Sequence, residues 1–160
     1  MEADESETIH NLRACAAVLI SLFEKYDGRL FNTGGDSFLA EFQSAFSAVE
    51  CAVEFQHSIK ERNLLLDTSD KLEFWIGINS GGVVKEKDNL LGDGVNNAAR
   101  LEALAQTNGI TVSKVIFDYV KGKTNYEFND LGFQKVKHFF WIQDKSGLNL
   151  RQIPMKITPP

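Results

Sequence analysis

Between Leu72 and Asn79 the chain alternates, with Leu72, Phe74, Ile76 and Ile78 at every second position and Glu73, Trp75, Gly77 and Asn79 between them. A period of two puts the four apolar side chains on one face, so this stretch demands a sheet with one covered side. The cover is present in the sequence. Ile9, Leu12, Ala16, Leu19 and Phe23 repeat at helical spacing from about Glu5 to Tyr26, and Asp27-Gly28 ends that segment. Ser44 is placed to cap a second helix reaching about Arg62, with Phe46, Val49, Val53 and Phe55 among its apolar positions.

Further strands fill the intervals. Arg29 to Thr33 and Ser37 to Phe42 form two short strands around Gly34-Gly35, a tight hairpin with Asp36 at or just past its tip. Ser80-Gly81-Gly82 turns the Leu72–Asn79 strand into another through Val83 and Val84, closed by a polar turn from Glu86 to Asn89. Ile110 to Val112 is a short strand, Ser113 caps a brief helix to about Val120, and Tyr126 to Leu131 is extended. Gln134 to Ile142 is expected to pair with Leu148 to Ile153 around Asp144-Lys145-Ser146-Gly147, a C-terminal hairpin. Pro154 and Pro159-Pro160 mark 154–160 as a tail or linker after a domain of residues 1–153. This order specifies an α+β domain, one mainly antiparallel sheet covered by helices.

Bulk composition narrows the function. A chain of 160 residues with 43% hydrophobic content is enough for one domain with a real core. The net charge of −5, with no run of Lys and Arg, excludes a nucleic-acid footprint. Cys15 and Cys51 lie in apolar helical patterns and are expected as buried free thiols, and His10, His57 and His138 show no zinc-ligand spacing with them. The acidic start, MEADESE, is unlike a signal peptide, and no apolar run spans a bilayer; a cytoplasmic location is expected, with no membrane segment in this chain.

The chemistry concentrates between Leu90 and Leu104, LLGDGVNNAARLEAL. Asp93, between Gly92 and Gly94, can cap a helix start. In that helix Ala98, Leu101 and Ala105 share one side, while Asn96 and Arg100, four apart, share the opposite one. An amide and a guanidinium on one face suit an anionic, oxygen-rich ligand such as a phosphate.

In order along the chain, NTGGDSFLAEF (32–42), AVECAVEFQ (48–56), FWIGINSGGVV (74–84), LGDGVNNAARLEALA (91–105) and ITVS (110–113) resemble the catalytic domain of class III nucleotidyl cyclases, the adenylate and guanylate cyclases. The similarity runs from about residue 5 to residue 140. Gly34-Gly35-Asp36-Ser37-Phe38 is also one residue from the signature of diguanylate cyclases, with Ser37 in place of a glutamate, but VNNAAR belongs to the class III pattern.

The resemblance implies a ferredoxin-like nucleotide cyclase core. It implies conversion of a purine nucleoside triphosphate into its 3′,5′-cyclic nucleotide with release of pyrophosphate. Two Mg²⁺ or Mn²⁺ ions, hard cations that favour carboxylate oxygen, assist that reaction. By position, Asp36 resembles a metal-binding aspartate, Asn96 the asparagine that orients the ribose, Arg100 the arginine that stabilises the transition state, and Lys137 the lysine on the terminal phosphates. Such sites form between two head-to-tail protomers, so a homodimer is expected.

Three departures follow from the same comparison. Family members carry a strand before the first helix, with the other metal aspartate and a glycine-containing phosphate loop, whereas MEADESETI matches the acidic lead-in to that helix. The second carboxylate is therefore expected from outside this chain. At the two base-reading positions stand Asn32 and Asn89, which fit neither the adenine pair nor the guanine pair of the family, and ATP is favoured on the wider sequence. The alternative is a degenerate cyclase-like module that dimerises or binds nucleotide to regulate a partner.

Overall fold

The computed structural model describes residues 2–31, 38–67, 71–80, 84–86, 89–91, 109–134, 137–143 and 155–158. Helix α1 (Glu2–Tyr26) leads to strands β1 (Gly28–Phe31) and β2 (Phe38–Phe42), then helix α2 (Ala45–Leu64) and strand β3 (Ile76–Ile78). Strands β4 (Val84–Glu86) and β5 (Asn89–Leu91) follow, and then β6 (Ile110–Ser113), helix α3 (Lys114–Val120), β7 (Glu127–Gln134), β8 (Lys137–Gln143) and β9 (Met155–Thr158).

Seven strands form one sheet in the order β1-β2-β9-β3-β6-β8-β7, while β4 and β5 form a separate antiparallel pair. The β1–β2, β6–β8 and β7–β8 pairings are antiparallel, and β2, β9, β3 and β6 run parallel to one another. The α+β architecture expected from the element order is the one observed. The expected hairpin around Gly34-Gly35 is present as β1–β2, although its turn lies outside the described residues.

Alternation along the strands builds the core. Phe38, Ala40 and Phe42 of β2, Ile76 and Ile78 of β3, Ile110 and Val112 of β6, and Phe140 and Ile142 of β8 cluster with the buried faces of the helices. Helix α2 contributes Ala48, Val49, Ala52, Phe55 and Ile59, and α1 contributes Cys15, Leu19, Leu22 and Phe23. Edge-to-face ring pairs, Phe23–Phe42 at 5.6 Å and Phe55–Phe74 at 5.5 Å, fix the helices over the sheet, and Phe117 of α3 stacks on Phe140.

Several local readings shift. The buried line of α1 runs through Asn11, Cys15, Leu19, Leu22 and Phe23, while Ile9 is half exposed. Asn11 is admitted to that face because it accepts a hydrogen bond from Arg62 Nη2 at 2.7 Å. Phe46 is partly exposed at the start of α2. The strand expected over Leu72–Asn79 narrows to Ile76–Ile78, because Asn63 holds the backbone of Leu72 through both its amide and its carbonyl oxygen and keeps 71–75 out of the ladder. Glu86 and Asn89 are register partners, in keeping with the turn expected between them, and Asn89 to Leu91 add a strand that pairs with β4, which stands apart from β3 rather than forming a hairpin with it. β8 has β6 on one edge and β7 on the other, so the C-terminal hairpin is β7–β8 and β8 has no free edge for Leu148–Ile153, which lies outside the described residues. The last strand, Met155–Thr158, falls within the stretch that the prolines bracket.

The helix caps follow the sequence in one case and not in the other. Ser44 caps α2, its side chain accepting from the Ser47 amide at 3.0 Å, whereas Ser113 precedes α3 without a side-chain cap bond. Helices α1 and α2 are joined at their polar rim by Glu54, which accepts from the Tyr26 hydroxyl and pairs with Lys25 at 3.0 Å. The Tyr26 hydrogen bond first, and Lys25 second, hold the Glu54 carboxyl below its ordinary range. Cys15 and Cys51 are free and buried, as expected. Burial pushes the Cys51 thiol up to about 12 and raises Cys15, against which the Arg62 charge acts.

A Cβ at Gly28 would lie 2.6 Å from the Phe23 ring and 2.7 Å from the Phe42 ring, both held in the core, so Gly28→Ala should cost about 1–3 kcal/mol in a urea titration. At the preceding residue the sign reverses: Asp27 has φ 56°, and Asp27→Gly should gain up to about 1 kcal/mol. At pH 8 Ellman's reagent should label neither cysteine of the folded protein and both in guanidinium; labelling of one thiol within minutes would contradict the burial.

Candidate active site

Strand β2 begins two residues after Asp36, so the sheet fixes where the hairpin returns even though 32–37, with Asn32 and Asp36, lie outside the described residues. Asn89 opens β5 as the register partner of Glu86. Lys137 opens β8, opposite Gln134 of β7. Asn96 and Arg100 lie outside the described residues, as does the helix expected to carry them.

Register places two of these regions at opposite ends of the sheet. The first residue of β2, Phe38, stands level with Met155, Ile76, Ile110 and Ile142 through successive pairings. Phe139 stands level with Ser113 at the other end, and Lys137 lies two residues further out. Four strand spacings and five residue rises separate Phe38 from Lys137, on the order of 25 Å. Within one chain the start of β2, to which Asp36 leads, and the start of β8, which Lys137 opens, therefore stand far apart.

The backbone that leads out of the expected Asn96–Arg100 helix is anchored by a residue that the sequence pattern gave no reason to single out. Gln56, buried on α2, donates from Nε2 to the carbonyl of Phe74 at 3.1 Å and to that of Gly109 at 3.4 Å. Gly109 in turn accepts from the Ile76 amide at 3.2 Å. The side chain thus ties the approaches to β3 and β6 together at the sheet end where Asp36 and residues 92–108 join it. A polar residue in an otherwise apolar helical stripe, at AVEFQ, was the available signal.

Metal binding is not built from the described residues. Among them no group of three His, Cys, Asp or Glu side chains could hold an ion. Glu41 is buried on β2, next to the core position Phe42, with Arg29 as its register partner on β1. By alternation along β2, Glu41 falls on the opposite face from Phe38, Ala40 and Phe42; Asp36 lies outside the described residues. Among the described residues no helix is long and apolar enough to cross a membrane.

A seven-stranded sheet with α1, α2 and α3 packed into its core, and a glycine-flanked aspartate leading into β2, is the architecture of a nucleotide cyclase catalytic domain. The chain belongs to the adenylate and guanylate cyclase catalytic domain family, whose profile matches residues 2–148. It is 41% identical over 139 residues, 86% of its length, to a Rhizobium meliloti (strain 1021) protein named "Putative adenylate cyclase 3". The chain spans about a quarter (24%) of that relative's length. Among solved structures it is similar to an adenylate/guanylate cyclase/hydrolase from Silicibacter pomeroyi, with TM-score 0.74, 31% identity and 79% of each chain covered. The fold is shared with a dimeric guanylyl cyclase domain from Blastocladiella emersonii, at TM-score 0.68 and 20% identity, covering 87% of this chain and 84% of that one.

If Gln56 fixes this end of the sheet, Gln56→Leu should remove the side-chain donor from the Phe74 carbonyl, while Gly109 keeps the Ile76 amide, and lower stability by about 1–3 kcal/mol. The corresponding check is a urea midpoint measured beside Gln56→Glu, a variant that keeps the side-chain length.

Proposed function

We propose that this chain is a nucleotidyl cyclase domain that closes a purine nucleoside triphosphate, with ATP preferred, to its 3′,5′-cyclic nucleotide. The observation that carries the reading is the family match across 2–148 together with GD-x-VN-x-AAR in its place before β6. Arg100 would neutralise charge developing on the pentavalent phosphorus, Asn96 would orient the ribose, and Lys137 would hold the terminal phosphates. Asn32 and Asn89 would meet the base, each able to donate and to accept. Asp36 would give one carboxylate to a Mg²⁺ or Mn²⁺ site.

The separation of the Asp36 hairpin from Lys137 within one chain supports a homodimer in which each protomer gives half of a site. Diguanylate cyclase activity is disfavoured, because Ser37 stands where that signature has glutamate and the family match is to class III.

The test is production of cyclic nucleotide from ATP and from GTP with Mn²⁺, in a chain extended upstream to include any strand that precedes α1. Arg100→Ala, Asn96→Ala and Asp36→Ala should each lower kcat at least about a hundredfold without loss of fold. Mixing Asp36→Ala with Lys137→Ala protomers should restore activity at one of the two sites. Unchanged turnover in Arg100→Ala, or none by the extended chain with either triphosphate, would overturn the reading.

A further inference from the structure

The β7–β8 hairpin outruns the strand beside it. β8 is paired with β6 from Ile142 back to Phe139, and there β6 ends, because Ser113, the partner of Phe139, leads directly into α3. Among the described residues the ladder partners of His138 and Lys137 are Phe133 and Gln134, both on β7. The backbone of Lys137 thus stands on a two-stranded extension, whose course is set by whatever fixes the chain where the support of β6 stops.

A β-bulge lies at that line. Asp130 is paired with Phe140 and Gly132 with Phe139, so β7 advances two residues where β8 moves one, and Leu131 is the extra residue. An extra residue bends its strand and increases the local twist, which redirects the chain beyond it. Two residues hold this bulge in one form. Asp130 Oδ1 accepts from the Gly132 amide at 2.7 Å, closing a local turn across Leu131. Gly132 has φ 69°, a left-handed conformation that L side chains resist, although a Cβ there would meet no atom within 4 Å. The glycine is called for by the backbone and not by crowding, and neither residue belongs to the hydrophobic core. β7 is the last strand of the sheet, and a bulge also blunts an open edge. That purpose does not fix where along β7 the bulge falls, and this one falls level with the last pair of β6 and β8.

We propose that Asp130 and Gly132 are positioning residues: the bulge they hold sets where Lys137 stands against the sheet, and so against the terminal phosphates of the triphosphate, a role that rests on the cyclase reading above.

The experiment measures position and affinity in the full chain, wild type beside Asp130→Ala, Asp130→Asn, Gly132→Ala and Lys137→Ala. Position is read from amide residual dipolar couplings in weakly aligned solution, and affinity from calorimetric titration with inorganic tripolyphosphate. The couplings of Lys137 and His138 should fit the alignment of β6 in the wild type and depart from it in Asp130→Ala and Gly132→Ala, with those of 110–113 unchanged. Both variants should bind tripolyphosphate about fivefold more weakly, Lys137→Ala about tenfold, and Asp130→Asn, which keeps the accepting oxygen, within about twofold of wild type. If the bulge served only stability or the open edge, urea midpoints would fall in Asp130→Ala and Gly132→Ala while couplings and affinity stayed at wild-type values, and the proposal would be overturned. Asp130→Asn behaving like Asp130→Ala would overturn it as well. Weaker binding in Lys137→Ala alone would remove the positioning role and leave the cyclase reading standing. Wild-type affinity in Lys137→Ala, or no binding by the wild type, would remove the phosphate role of Lys137 and the positioning role with it.

Discussion

Helix α2 is the contact on which the two halves of the sheet both depend. Its buried face, Ala48, Val49, Ala52, Phe55 and Ile59, lies against strands on either side of β9, and small residues near its start let the backbone approach the sheet closely. The stabilisation is mostly hydrophobic, of roughly 1.5–3 kcal/mol for each large side chain taken out of water. Gln56 adds a directional element to a non-directional one. Its amide spans the carbonyls of Phe74 and Gly109, the second of which also accepts from the Ile76 amide, and so it ties together the segments that enter β3 and β6.

That constraint connects the core to the candidate chemistry. Asp36 leads into β2, and residues 92–108 lead through Gly109 into β6, so both arrive at the same end of the strands held by α2. Lys137 arrives at the other end. A sheet of this length is too long for one ligand to bridge, and self-complementary pairing of two copies is the economical way to unite its ends. The separation makes a shared site intelligible from strand geometry.

Much of the fold was legible in the sequence because local signals agreed with one another. Period-two alternation marked β3, Ser44 marked the start of α2, and Asp27-Gly28 marked the end of α1. The errors have physical causes. Side-chain bonds from Asn63 shortened a strand whose alternation extended further, and the Asn11–Arg62 bond drew a polar residue onto the buried line of α1 in place of Ile9. Neither bond is visible to periodicity, since its partners lie nine and 51 residues apart.

The sequence by itself determined the family, the α+β class and the six candidate side chains, because GD-x-VN-x-AAR and the hairpin aspartate are local patterns whose chemistry depends on residue type and spacing. Only the tertiary structure decided which strands are neighbours. That Met155–Thr158 closes the centre of the sheet, that β8 is paired on both edges, and that the Asp36 hairpin and Lys137 stand at opposite ends are facts of register between distant segments. Strand pairing is set by backbone hydrogen bonds available to almost any residue, so the choice of partner is made by the packing of the whole core and leaves little trace in any one stretch of sequence.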